Sequence, residues 1–114
     1  MDERRKTKRI DFRLKLIVDS LYKQDHIELN NIENEIEILD ISKTGLGFIS
    51  EADMPMGFYF NAHIVMDEDK RFFGVLKIIR KTHIENGYNY GCEFIGLADI
   101  LSNVIEEYDN EKNN

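Results

Sequence analysis

The chain has 114 residues, 42% hydrophobic and 32% charged, the balance of one soluble globular domain that buries about two-thirds of its unfolded surface. A single cysteine, Cys92, excludes an intramolecular disulfide and a cysteine-based structural zinc site. No apolar run approaches the ~20 residues that span a bilayer and no apolar stretch follows the charged N-terminus, so no membrane insertion and a cytoplasmic location are expected.

The net charge of −7 is unevenly spread. Residues 1–15 carry seven Lys/Arg (Arg4, Arg5, Lys6, Lys8, Arg9, Arg13 and Lys15) against three acids, a net of +4, and the other 99 residues carry −11. Residues 1–12 therefore read as a basic arm on an acidic body. Such a body repels duplex nucleic acid, whereas an arm of this size suits a small anion with a few phosphates.

From Arg13 the pattern turns strand-like, with Leu14, Leu16 and Val18 alternating with Lys15, Ile17 and Asp19. His26 to Asn30 is a second short candidate. Glu35 to Leu39 alternates, with Ile36 and Ile38 on one face and Glu35 and Glu37 on the other. Asp40 to Gly45 interrupts with turn residues, and Leu46 to Ile49 resumes an extended pattern. Met54 to Gly57 forms a loop. Phe58, Phe60, Ala62, Ile64 and Met66 share one face of a long strand that ends at the polar turn Asp67 to Lys70. Arg71 to Thr82 follows, and Asn86-Gly87 turns the chain into Tyr88 to Phe94. Beyond Gly96 the period lengthens. Ile100, Leu101, Val104, Ile105 and Tyr108 form one helical stripe with Asp99 as its cap, and 109–114 form a frayed tail. The expectation is a mainly β fold, an antiparallel barrel of six or seven strands over 13–108 with a C-terminal α-helix.

Enzyme chemistry finds no footing. His26, His63 and His83 are widely separated, with no neighbouring carboxylate or histidine at metal-ligand spacing, so no metal is expected. Cys92 sits inside a strand as a small packed hydrophobe, and Gly45-Leu-Gly47 is too short for a phosphate loop. Two segments do carry chemistry. Arg5 and Arg9 stand four apart with Arg4 before them, rigid forks able to grip phosphate oxygens or the O6/N7 edge of guanine. Asp40-Ile-Ser-Lys-Thr-Gly45 closes an alternating strand. Period two places Asp40 and Ser42 on one side and Ile41 toward the core, and Gly45 frees the backbone for a tight turn.

An RxxxR arm followed some thirty residues later by DxSxxG at a strand end resembles the PilZ domain family. Val75 to Arg80, Tyr90 to Phe94 and the C-terminal stripe extend the resemblance over roughly Arg4 to Tyr108. It implies a six-stranded antiparallel barrel that binds cyclic di-GMP, with no catalytic output and no other cofactor. It also implies a site of Arg4, Arg5, Arg9, Asp40, Ser42 and Gly45. In that site Arg5 and Arg9 take phosphates and guanine edges, Asp40 takes the N1–H and N2–H donors of a guanine, and Ser42 adds a hydroxyl. An arginine at the Arg4 position goes with two ligand molecules per chain. Ordering of the arm over the ligand would signal to an unidentified protein partner. Two other readings stand beside it: an adaptor of the same family with an idle nucleotide site, and a small barrel that binds single-stranded nucleic acid through the arm and rings such as Tyr59 and Tyr88, which the net charge disfavours.

Overall fold

The computed structural model describes residues 9–23, 28–29 and 32–96. Among these described residues, eight strands lie in one antiparallel sheet: β1 (Ile10–Val18), β2 (Leu21–Tyr22), β3 (Glu28–Leu29), β4 (Asn34–Ile41), β5 (Gly45–Ser50), β6 (Tyr59–Val65), β7 (Arg71–Ile84) and β8 (Gly87–Phe94). Their order across the sheet is β1-β4-β5-β8-β7-β6-β2-β3. The six long strands correspond to the barrel expected from the sequence. β2 and β3 are two-residue additions beside β6, joined through the pair Tyr22↔Tyr59. The sheet curls until β1 and β6 touch, so one core fills a single interior.

Alternation sets that core. Ile36 and Ile38 on β4, Leu46 and Phe48 on β5, Phe60 and Ile64 on β6, Leu76 and Ile78 on β7, and Tyr90 on β8 are all essentially inaccessible. Phe48 lies at its centre, stacked on Tyr90 at 4.8 Å between ring centroids and edge-on to Phe60 at 5.9 Å, the offset and T-shaped arrangements that aromatic quadrupoles favour. The expected apolar face of β6 is present: Phe60, Ala62, Ile64 and Met66 are buried and Phe58 packs against them.

Several boundaries shift from the sequence reading, β4 and β7 each running two residues further, to Ile41 and Ile84. β1 opens at Ile10, three residues before Arg13, because Ile10 pairs with Ile41 and Phe12 is buried. The β7–β8 hairpin turns on Glu85-Asn86 rather than Asn86-Gly87, since Ile84 and Gly87 are the last paired residues. Gly87 instead takes the special backbone angle, φ 147°, where a Cβ would lie 2.4 Å from the Ser50 carbonyl oxygen. The helix expected over Ile100 to Tyr108 lies outside the described residues, as do Arg4, Arg5 and His26. Among the described residues no helix is long and apolar enough to cross a membrane.

Candidate functional site

Three register shifts fall in one band across the sheet. They lie between Asp11 and Leu14 on β1, between Ile38 and Asp40 on β4, and between Ile78 and Arg80 on β7. Each is a bulge, where an extra residue kinks the strand and re-aims the side chain that follows. On β4 the extra residue is Leu39, and Asp40 then pairs with Gly47 of β5. On β7 it is Ile79, and Arg80 then pairs with Gly91 of β8. Gly47 and Gly91 pair with each other. Asp40, Gly47, Gly91 and Arg80 thus form one row across four strands, with a charged side chain at each end and two glycines between. Three strand spacings separate the ends, about 14 Å between Cα positions.

Arg9, the last residue before β1, joins the Asp40 end. Its Nε–H donates to Oδ1 of Asp40 at 3.0 Å, and its Nη2 lies 2.7 Å from the same oxygen. Both nitrogens converge on one oxygen, which leaves Oδ2 outside the pair. The two side chains are 46% and 34% exposed, so the pair faces water and is held by geometry more than by net energy. A Cβ on Gly47 would lie 3.2 Å from Asp40 Oδ1 and 3.6 Å from Arg9 Nη2. The absence of a side chain there lets the pair rest against the sheet.

At the other end a Cβ on Gly91 would lie 2.7 Å from Cζ, 2.8 Å from Nη1 and 2.9 Å from Nη2 of Arg80. Three nearly equal distances mean that the guanidinium lies broadside on Gly91, covering the backbone where another residue would carry its side chain. The sequence reading included neither Arg80 nor the two glycines in the site. A glycine inside each of two strand patterns does signal close backbone approach, but the bulge that turns Arg80 onto Gly91 leaves no mark in a period-two pattern.

The remaining motif residues build the turn. Ser42 is fully buried. Its Oγ accepts from the N–H groups of Thr44 and Gly45, both at 3.3 Å, while its own N–H donates to the Gly45 carbonyl at 2.8 Å. β4 ends at Ile41, so period two does not carry on to place Ser42 beside Asp40, and its hydroxyl is engaged within the turn. Gly45 has no positive φ. It is required instead by close approach, because a Cβ there would lie 2.0 Å from the Cys92 carbonyl oxygen.

The other candidates lie elsewhere. Tyr59 stacks on Tyr22 at 5.8 Å with Lys77 over it, and Tyr88 sits against His83 and Tyr90 beneath Lys81, so neither ring belongs to the row. His63 stacks on Phe73 at 4.2 Å, and among the described residues no group of three or more His, Cys, Asp or Glu could hold a metal ion. Burial pushes the Cys92 thiol up to about 12, with Arg80 pulling weakly the other way, which suits packing and not nucleophilic attack. Asp11 pairs with Asp40 and Glu93 with Gly45 beside the row, while a cluster of acids lies away from it. An open groove of about 800 Å³ at the opposite ends of β4 and β5 is lined by Glu33, Glu35, Glu37, Glu51 and Glu85 with Lys15.

A family model described as the PilZ domain matches residues 3–108. Among solved structures, the PilZ domain with c-di-GMP of YcgR from Escherichia coli superposes with a TM-score of 0.58 at 19% sequence identity, covering 96% of this chain and 95% of that one. No curated protein matches the sequence. The family match runs through the Arg9–Asp40 junction and all eight strands, and the chain belongs to the PilZ domain family.

Proposed function

We propose that this protein is a cyclic di-GMP receptor, and that it holds the nucleotide on the outer barrel face where the N-terminal arm meets the end of β4. The observation that carries the reading is the Arg9–Asp40 pair, set at the edge of a row of two glycines whose only cover is the movable ends of charged side chains. Phosphate needs cationic forks, a guanine Watson–Crick edge needs a carboxylate, and a planar base needs a surface without side chains. Family membership and the c-di-GMP of the YcgR structure support the choice of ligand. Arg4 and Arg5 complete the cationic set, with two ligand molecules per chain. In this reading Ser42 and Gly45 serve the site by shaping its turn. The chain performs no catalysis, and ordering of the arm over the ligand presents a changed surface to a protein partner.

Titration calorimetry with cyclic di-GMP tests this reading. Arg9→Ala and Asp40→Ala are each expected to weaken binding by about 1.5–3 kcal/mol, the range of a charge-assisted hydrogen bond, with the fold intact. Arg13→Ala and Lys15→Ala, from the same basic stretch, should change it far less. Equal losses in all four variants would mean undirected charge and would remove the specific site. Arg4→Leu is expected to lower the ligand-to-protein ratio from two toward one.

A further inference from the structure

We infer that Arg80, lying on the Gly47–Gly91 floor, is the residue by which this protein selects guanine over adenine. The inference rests on the cyclic di-GMP reading and adds a second, opposite wall to its site. Three features of the row lead to it. The bulge at Ile79 spends an irregularity of β7 on turning Arg80 toward Gly91. The guanidinium already lies broadside on that glycine, so its plane runs along the sheet surface. Asp40 stands at the far end of the same row, with no side chain on Gly47 or Gly91 between them and only the movable Arg80 guanidinium over Gly91.

A base that displaces the guanidinium from Gly91 and rests on that floor would meet acceptor oxygen at one end and guanidinium N–H donors at the other. Guanine matches this polarity, since its N1–H and N2–H groups donate and its O6 and N7 accept. Adenine matches neither wall fully, although its N7 still accepts. It presents N6–H donors where guanine presents O6, and it has no N1–H or N2–H group for the carboxylate. Arg9 cannot supply the donor wall as it stands, because both of its contacting nitrogens are turned onto Asp40 Oδ1. Arg80 is exposed and makes no ion pair of this kind with the row, so its donors can rotate into the plane of an arriving base. A lysine in its place would keep the charge but lose the planar fork.

Calorimetry on the full chain with cyclic di-GMP and cyclic di-AMP, together with thermal melts, decides the matter. Arg80→Ala is expected to weaken cyclic di-GMP binding about tenfold or more, the worth of one bidentate base contact, and to erase most of the preference over cyclic di-AMP. Arg80→Lys should lose the preference while keeping more affinity. Gly91→Ala should act like Arg80→Ala with a near-normal melt, because the added Cβ meets only the movable end of the Arg80 side chain. Lys77→Ala, the next outward-facing cation on β7, should alter neither affinity nor preference. Wild-type affinity and preference in Arg80→Ala, or the same loss in Lys77→Ala, would overturn the role of Arg80 while leaving the receptor reading in place. A wild-type chain that binds no cyclic di-GMP would overturn both.

Discussion

A single methyl group separates the three glycines of the site by role. On Gly45 it would strike the Cys92 backbone at 2.0 Å, and backbone cannot rotate aside. Gly45→Ala is therefore expected to destabilise the fold by about 1–3 kcal/mol, the cost of overpacking, measured as a lower urea midpoint at unchanged slope. Tyr90 is the other residue on which the local structure turns. Its O–H donates to the Ala52 carbonyl at 2.5 Å, and its oxygen accepts from the Met54 N–H at 2.7 Å, tying the β5–β6 connection to β8. Tyr90→Phe strands both backbone groups, and is expected to cost about 1–3 kcal/mol. Burial, the larger influence, holds the Tyr90 hydroxyl above its ordinary 10.0, with the Met54 hydrogen bond acting the other way. Above pH 10 the unfolded chain loses that proton while the folded chain keeps it. The contribution is thus intact below pH 10 and is lost as pH rises further. Tyr90→Phe should flatten that part of the alkaline unfolding curve.

At the scale of elements, β8 lies between β5 and β7 with its inner residues Tyr90 and Cys92 buried. A thiol raised to about 12 by burial has almost no thiolate at neutral pH. Labelling of Cys92 by a thiol reagent at pH 8 should therefore follow the rate of unfolding, and accelerate in urea in step with it. Fast labelling in native buffer would show β8 opening independently of the barrel. The strands themselves were legible in the sequence wherever one face is buried and the other wet, as in Ile36 and Ile38 against Glu35 and Glu37. Arg9 and Asp40 were each legible as candidate residues through their motifs, but their pairing with one another was not. The bulges were not legible, since one extra residue in a strand is indistinguishable from ordinary sequence until its partner is known. Arg80 leaves no mark for that reason, and period two puts Ser42 beside Asp40 only if it is carried past the strand end at Ile41.

By strand hydrogen bonding, the described sheet is two groups of strands joined through β8, which also meet where β1 touches β6. β1-β4-β5 lie on one side, β7-β6-β2-β3 lie on the other, and β8 is the strand that bonds to both. A chain stopped after residue 86 keeps every other pairing but lacks the strand that hydrogen-bonds to both β5 and β7. Such a fragment is expected to show no cooperative thermal transition, and an added peptide of residues 87–114 should restore one. This arrangement also bears on how the protein is born. The end of β5 at Ser50 leaves the ribosome 44 residues ahead of Phe94 at the end of β8, a lag of about 2–9 s at ~5–20 residues per second. Throughout that lag Leu46 and Phe48 lack the neighbour that covers them in the finished barrel, so each nascent chain carries an open strand edge beside an apolar surface. The interval is a window for chaperone capture during synthesis, and for aggregation where translation slows between the two strands.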